Sequence, residues 1–306
     1  MKNSKILRPL KIVIFLISIF ALKSALAQTA CIDTTSAQTI TGSDTANLVA
    51  LSNTEWNVGM TVDQTGYSKI VVPSDGLYRI TGSISYYNIP DGKHAHVGIA
   101  LNGSYYSILS CIHSGAATAD SLIVNGTTVL NLTANSAISL VAQSNVTSVS
   151  TYSGIGCKLV VEKIPNGRLT ACLNTTSAQS VTGPDVDVKA TLSNVAWNIG
   201  MTVNTTNSTI TVPTSGRYRI TGYASYLNLP DGKHAHLGVN VNGAAREYLQ
   251  VVHAGAATAD SLVLSGSTVL TLAANDVVNL HLQHCNSSSV STISGIGCQL
   301  IVESAD

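Results

Sequence analysis

The sequence predicts an all-β protein built from two tandem antiparallel domains, and three observations support this fold class. Residues 29–163 and 170–306 are two versions of one unit, and the heptapeptide PDGKHAH at 90–96 recurs unchanged at 230–236. The repeat period, about 140 residues, is the size of a whole domain. Short apolar runs separated by turns fill both units, and no amphipathic helix is predicted after residue 27.

The strands can be followed in order along the first unit. Residues 77–84 alternate apolar and polar side chains, as a half-buried strand does. Residues 97–101 alternate bulky and small side chains, and short apolar runs follow at 128–132 and 137–141. Turn signals rich in Gly, Pro, Asn and Asp separate these runs. Many short strands with this spacing indicate an antiparallel sandwich or barrel.

Residues 1–27 have the features of a secretory signal peptide. Lys and Arg come first, an apolar run occupies 12–22, and Ala25-Leu26-Ala27 precedes the expected cleavage point. The apolar run is too short to span a bilayer comfortably, which argues against a membrane anchor. We therefore expect an exported chain without a membrane span after cleavage, in the medium, on the cell surface or in the periplasm. The predicted organisation is a signal peptide at 1–27, a first domain at 28–163, a linker at 164–169 and a second domain at 170–306.

The composition excludes several classes of function. Charged residues make up 10% of the chain and the formal net charge is zero. Such a chain lacks the basic surface that nucleic acid or an anionic membrane would require. The sequence contains no nucleophile elbow, phosphate loop or paired-carboxylate pattern, so an enzyme is not expected.

Four of the six cysteines occupy matched positions, Cys31 with Cys172 and Cys157 with Cys298. An exported chain meets an oxidising environment, which allows disulfide bonds. The economical pairing is within each unit, Cys31–Cys157 and Cys172–Cys298. Because bridged Cα atoms lie within about 7 Å of each other, this pairing requires the first and last strands of each unit to be neighbours.

Cys111 and Cys285 are not matched between the units. Cys111 occupies the place of Val251, which favours a buried free thiol. Cys285 lies in a turn-like segment. A bond between Cys111 and Cys285 is the alternative, because connectivity cannot be read from sequence.

A set of short motifs occurs in the same order in both units. The first unit has Trp56-Asn57-Val58-Gly59, a Pro73-x-x-Gly76-x-Tyr78 corner, an Asn102-Gly103 turn after a strand, and Ser150-Thr151-Tyr152-Ser153-Gly154 near its end. Together the motifs resemble the C1q-like domain family. The unit departs from that family in its Ala134-Asn135 turn, its few aromatic residues and the absence of a collagen-like stalk.

The resemblance implies a TNF-like jelly-roll β-sandwich in each unit, with the first and last strands side by side. This expectation agrees with the cysteine pairing. The resemblance also implies homotrimers, in which sheets of neighbouring subunits pack around a three-fold axis.

Six histidines occupy matched places in the two units. If Val97 and Ile99 face the core, His96 lies on the opposite face, which would meet symmetry mates in a C1q-like trimer. In such a trimer three His96 side chains would form a ring, and three imidazoles at one point could bind Zn²⁺ or another transition metal. The alternative is that they form hydrogen bonds across a subunit interface or within the Pro-Asp-Gly loop. The candidate metal ligands are His94, His96, His113, His234, His236 and His253.

Other matched polar residues have simpler interpretations. Asp91 and Asp231 precede glycine in a turn, and Asp120 and Asp260 open strands. His281 and His284 have no counterparts in the first unit, and they are assigned no role.

The sequence therefore predicts an exported, non-enzymatic C1q-like binding or structural module that forms trimers. Its ligand, an extracellular protein or a glycan, would bind to loops, where such scaffolds carry function. The alternative is a carbohydrate-binding or adhesin-type jelly roll that need not trimerise.

Overall fold

A computed structural model describes residues 27–115, 120–154, 156–255, 260–295 and 297–305, without the side chains of Asp120 and Asp260. The predicted signal peptide, apart from Ala27, lies outside these residues. In the described ranges every regular secondary-structure element is a β-strand, and turns and bends connect the strands. In these ranges no helix has the length and apolar character needed to span a bilayer.

The first half of the chain, residues 28–163, contains short and long strands in the predicted order. They are β1 (Thr29–Thr34), β2 (Thr39–Thr41), β3 (Asn47–Leu48), β4 (Asn53–Val58), β5 (Thr61–Asp63), β6 (Lys69–Val71), β7 (Gly76–Ile89), β8 (His94–Leu101), β9 (Ser104–His113), β10 (Asp120–Leu132), β11 (Ala137–Ser144), β12 (Ser148–Thr151) and β13 (Cys157–Lys163).

The second half, residues 170–306, repeats this series strand for strand. Its strands are β14 (Thr170–Thr175), β15 (Ser180–Val181), β16 (Val188–Lys189), β17 (Asn194–Ile199), β18 (Thr202–Asn204), β19 (Thr209–Thr211), β20 (Gly216–Leu229), β21 (His234–Val241), β22 (Ala244–His253), β23 (Asp260–Leu272), β24 (Val277–His284), β25 (Val290–Ser291) and β26 (Cys298–Ser304). Asp120 and Asp260 open strands, as predicted.

Each half is a sandwich of antiparallel sheets. In the first half one sheet has the order β2-β12-β7-β13-β1-β4 with β10 beside β7, and the other has the order β9-β8-β11-β6-β5. The second half contains the corresponding series β17-β14-β26-β20-β23 and β22-β21-β24-β19-β18. The prediction of an all-β protein with antiparallel jelly-roll sandwiches is confirmed.

Strand β7 shows how the sequence produces this packing. Tyr78, Ile80, Ile84 and Tyr86 project to one face and are completely buried. The hydroxyl of Tyr78 donates a hydrogen bond to the carbonyl oxygen of Ser74 at 2.8 Å, which holds the corner where the strand begins. The main core cluster of each half contains only residues of that half. The exact domain boundaries stay a prediction.

The first and last strands of each half are antiparallel neighbours, as predicted. In the first half β1 pairs with β13 from Thr29 opposite Glu162 to Thr34 opposite Cys157. In the second half β14 pairs with β26 in the same register, and Thr175 lies opposite Cys298.

The predicted disulfide bond Cys31–Cys157 is wrong, although the strands that carry these cysteines are adjacent. Cys31 lies opposite Val160, three residues along β13 from Cys157, and this offset corresponds to about 10 Å. An odd spacing also places the two side chains on opposite faces of the sheet. Accordingly, Cys157 belongs to the core cluster and Cys31 does not. Both thiols are unbonded, and burial raises the pKa of each to about 11.

The predicted bond Cys172–Cys298 is wrong for the same reason. Cys172 lies opposite Ile301, while Cys298 projects into the core of the second half. Burial raises the pKa of both thiols to about 12. The alternative bond Cys111–Cys285 is also absent. Cys111 is buried and forms no disulfide bond, as its alignment with Val251 predicted, and Cys285 is a half-buried free thiol.

Candidate functional site

The three candidate histidines of the first half come together at one end of the pairing between β8 and β9. His94 lies opposite His113 in this pairing. The rings of His94 and His96 are stacked with centroids 4.5 Å apart, and the His113 ring meets His94 edge-on at 5.0 Å. Val97 and Ile99 face the core, so the predicted facing of this strand is confirmed. The backbone is held by Tyr86, whose hydroxyl donates to the carbonyl oxygen of His96.

Polar groups from outside the strand pair contact this cluster. Nε2 of His94 lies 2.7 Å from a carboxylate oxygen of Asp44. Nε2 of His113 lies 3.3 Å from the carbonyl oxygen of Ser261 in the second half, and, within β9 itself, 3.6 Å from Sγ of Cys111. The first cluster is therefore adjacent to the interface between the halves.

The second half repeats the cluster with a different surrounding. His234 stacks on His236 with centroids 4.7 Å apart and contacts His253 at 5.4 Å. Asp185 lies 3.6 Å from Nε2 of His234. His253 is exposed, whereas its counterpart His113 is buried.

The histidine cluster of the second half extends to His281, which was assigned no role from the sequence. Tyr248 packs against His236 at 4.8 Å and against His281 at 5.6 Å, and Nδ1 of His281 contacts the Asp187 carboxylate. His281 was missed because its counterpart is a valine and its only histidine neighbour in sequence, His284, projects to the other face. That second histidine is a core residue, and its Nε2 lies 2.8 Å from the carbonyl oxygen of Val181.

The turns before the histidines form as predicted. In the first half Gly92 has a φ of 68°, and the Lys93 amide donates to the carbonyl oxygen of Pro90 at 3.1 Å. Asp91 therefore serves the turn that leads into β8. Asp231 has the same place in the second half, where Gly232 has a φ of 69°.

Burial lowers the pKa of one histidine in each cluster. It lowers the pKa of His96 to about 3, with further contributions from the neighbouring His94 and His113. Burial, followed by His234, also lowers the pKa of His236. In the described residues, Nδ1 of His96 and Nδ1 of His236 are buried without hydrogen-bond partners. Both imidazoles are therefore neutral near pH 7.

In the described part of the chain, no three His, Cys, Asp or Glu side chains converge as metal ligands. Imidazole lone pairs lie in the ring plane, so the stacked rings of His94 and His96 do not point both nitrogens at a common ion. Binding of Zn²⁺ would require these rings to turn. Metal binding stays a prediction.

The metal prediction is tested by thermal unfolding with and without Zn²⁺ and a chelator. If the clusters bind Zn²⁺, the ion should raise Tm, because a ligand that binds only the folded state stabilises it. The rise should disappear in the His96→Ala, His236→Ala double variant. An unchanged Tm with Zn²⁺ and with chelator would remove the metal site.

The two halves are joined by a strand pairing between β9 of the first and β23 of the second. Cys111 lies opposite Val263, and the hydroxyl of Ser110 donates to the carbonyl oxygen of Val263 at 3.3 Å. Nearby, the Thr127 amide donates to the hydroxyl oxygen of Ser265 at 3.2 Å. These contacts make a continuous sheet across the interface.

An apolar cluster and an ion-pair group complete this interface. Buried apolar side chains from both halves pack together around the linker residue Ile164. Arg79 makes an ion pair with Glu162 of its own half at 3.0 Å and another with Glu303 of the second half. The remaining members of the apolar cluster are Leu77, Val129, Cys172, Ile301 and Trp197.

The interface uses different surfaces of the two halves, so it is heterologous. Among the described residues no pairing joins β10 to β22, the counterparts of β23 and β9. The interface residues Cys111 and Val263 are 1% and 2% exposed, whereas their counterparts Val251 and Ile123 are 46% and 54% exposed. One surface of each half is therefore buried in the interface, and the complementary surface of each half is open.

At two places in the interface, a residue of one half lies close to the equivalent residue of the other half. Arg219, the counterpart of Arg79, feels the charges of Arg79, Glu303 and Glu162. Burial comes first among the causes that lower its pKa, followed by Arg79. Gly115 and Gly255 are also equivalent, and a Cβ on Gly255 would lie 2.8 Å from the Cα of Gly115. A rotation axis that relates the halves therefore passes near these residues, and the one-sided contacts exclude a two-fold axis.

Comparisons with known proteins give only distant likenesses. Neither a protein-family model nor a curated protein matches the chain. The Eiger TNF structure from S. frugiperda matches with 11% identity and a TM-score of 0.35, covering 45% of this chain and 93% of that chain. Murine APRIL matches at pH 5.0 and pH 8.0 with 12% and 11% identity and a TM-score of 0.34 in both cases, covering 45% of this chain and 99% of those chains. Nothing about function follows from likenesses of this size.

Proposed function

We propose that this chain is an exported, non-enzymatic C1q/TNF-like binding or structural module that assembles with further copies of itself into three-domain rings. The observation that carries the proposal is the heterologous interface between the halves. Such an interface either closes into a ring or continues as a filament. Because the contacts exclude a two-fold axis, the smallest ring that can close holds three domains. One chain supplies two of them.

The open surfaces support a third domain at this place. Tyr248, Val251 and Val269 are exposed on the second half, as is Ile123 on the first. Arg219 has no carboxylate within 4 Å among the described residues, whereas its counterpart Arg79 has two. A third domain would cover the apolar side chains and bring a glutamate to Arg219. Three chains supply six domains, enough for two rings, if one of the three chains gives one half to each ring and its own halves separate; this arrangement gives the expected homotrimer.

Light scattering on the mature chain tests this assembly. We expect a three-chain particle that shifts towards the monomer in the Val251→Glu and Ile123→Glu variants, because each places a charge in the ring interface. Tyr67→Glu is the matched control, since Tyr67 is 63% exposed and lies in the loop between β5 and β6 at the far edge of the sheet. A monomeric parent chain would contradict the proposal and leave the non-trimerising carbohydrate-binding or adhesin-type jelly roll.

The partners follow from the same surfaces. A ligand outside the cell, protein or glycan, is proposed because the chain is expected to be exported. Nucleic acid is not proposed as a partner, because the chain has zero net charge and only 10% charged residues.

A further inference from the structure

A cavity of about 360 Å³ lies between the halves, on the side of the interface away from the histidines. Its size falls in the range of small-molecule sites, about 300–1,000 Å³. The first half contributes residues of β9 and β10, and the second contributes residues of β14, β20 and β26. Its polar lining includes Tyr105, Tyr106, Ser107, Asn174, Tyr223 and Gln299.

The wall from the second half is a row across three strands. Asn174 lies opposite Gln299, and Gln299 lies opposite Tyr223. In the first half the same row consists of Asp33, Lys158 and Ser83. There Lys158 and Asp33 form an ion pair at 4.0 Å. The second half therefore has two neutral amides and a phenol where the first half has two charges and a serine.

The cavity wall from the first half is also uncharged where its counterpart in the second half carries charges. Tyr105, Tyr106 and Ser107 line the cavity, and the equivalent residues of β22 are Ala245, Arg246 and Glu247. Residues needed only for the fold or for a ring interface should be alike in both halves. Here both walls lack charges at a place where the halves enclose a space, and three tyrosines are present instead.

The lining defines the chemistry of a ligand. Among the described residues, no Asp, Glu, Lys, Arg or His lines the cavity, so an ionised ligand would lose hydration without gaining a counter-charge. Tyrosine rings offer apolar faces with a polar edge, and the amides and hydroxyls offer both donors and acceptors. The Tyr223 hydroxyl has no hydrogen bond within the described residues. Burial raises the pKa of Tyr223 well above its ordinary value, so the hydroxyl remains a donor.

We propose that this cavity binds a neutral carbohydrate, with sugar hydroxyls hydrogen-bonded by Asn174, Gln299 and Tyr223 and an apolar sugar face against Tyr105 or Tyr106. The inference deepens the proposed function, because it identifies a ligand class and a site for the binding module. It does not require the third domain, since both walls belong to one chain.

The test begins with the mature full chain on an array of neutral, sialylated and sulfated glycans, followed by calorimetry with the best neutral oligosaccharide. We expect binding to neutral glycans and a loss of affinity of at least about tenfold in Tyr105→Ala and in Tyr223→Ser, which introduce the residues of the opposite half. Tyr87→Ala is the control, because Tyr87 is exposed and does not line the cavity. Its affinity should equal that of the parent.

A second variant separates binding from folding. Asn174→Asp with Gln299→Lys recreates the ion pair that the first half already accommodates, so the fold should persist while neutral-glycan binding falls at least about tenfold. Absence of neutral-glycan binding, selective binding of charged glycans, or binding that survives these substitutions would overturn the inference. Light scattering on the same samples shows whether self-assembly is intact, so failure of the sugar site is distinguishable from failure of the ring.

Discussion

Replacement of Glu303 by alanine is expected to lower the free energy of unfolding by about 3–5 kcal/mol, because it removes the buried partner of Arg79 and leaves that guanidinium only the exposed carboxylate of Glu162. The Glu303 side chain is 1% exposed and pairs with Arg79, whose side chain is 11% exposed, across the interface between the halves. The cost arises from the poorly compensated charge of Arg79 that remains in the interface, rather than from the net strength of the pair. Urea denaturation monitored by fluorescence measures this free energy.

Glu162 provides a matched control on the same guanidinium. Its carboxylate lies 3.0 Å from Arg79 but its side chain is 43% exposed, so Glu162→Ala should cost about 1 kcal/mol or less. Arg79→Met combined with Glu303→Leu should recover most of the stability lost in Glu303→Ala, because no buried charge remains. Equal losses for Glu303→Ala and Glu162→Ala would show that burial at the interface does not govern this pair.

Acidification from pH 7 to pH 5 is expected to destabilise the protein by up to about 2 kcal/mol through His96 alone. Its pKa is lowered from 6.5 to about 3 in the folded chain, so the fold holds the neutral imidazole. Above pH 6.5 the contribution to stability is fully present. As the pH falls from 6.5 towards 3, the unfolded chain binds a proton that the folded chain excludes, and stability is lost.

The measurement is the free energy of unfolding at a series of pH values for the parent and for His96→Gln. The variant should lose less stability between pH 7 and pH 5, because its side chain does not titrate. His236→Gln should act in the same direction, since burial lowers the pKa of that histidine as well. A pH dependence in His96→Gln as steep as that of the parent would rule out His96 as the source.

The cysteines illustrate both the reach and the limit of prediction from sequence. Matching Cys31 with Cys172 and Cys157 with Cys298 indicated correctly that the first and last strands are adjacent. It could not indicate the register between those strands, because the strands pair through backbone groups that every residue carries. An offset of three residues, which is invisible in the alignment, places the thiols on opposite faces of the sheet.

The histidines show the same division. The repeated heptapeptide and the alternation of β8 predicted that His94 and His96 share a face, away from Val97 and Ile99. The participation of His281 on β24 depends on Tyr248 of β22, which lies one strand further along the sheet. The pairing of β22 with the intervening strand β21 shifts its register near Gly238. No periodicity within a single strand carries that information.

By itself the sequence determined that one unit occurs twice, that the protein is all-β and that Val97 and Ile99 of β8 face the core, because these follow from self-comparison, local alternation and turn chemistry. Only the tertiary structure decided how the halves dock, which surfaces remain open and where a cavity forms. The exchange of Asp33 and Lys158 for Asn174 and Gln299 is visible in the alignment of the halves. Its consequence depends on the docking of the halves, which encloses the row of the second half and leaves the row of the first half open. Burial then determines whether a charge is tolerated at these positions.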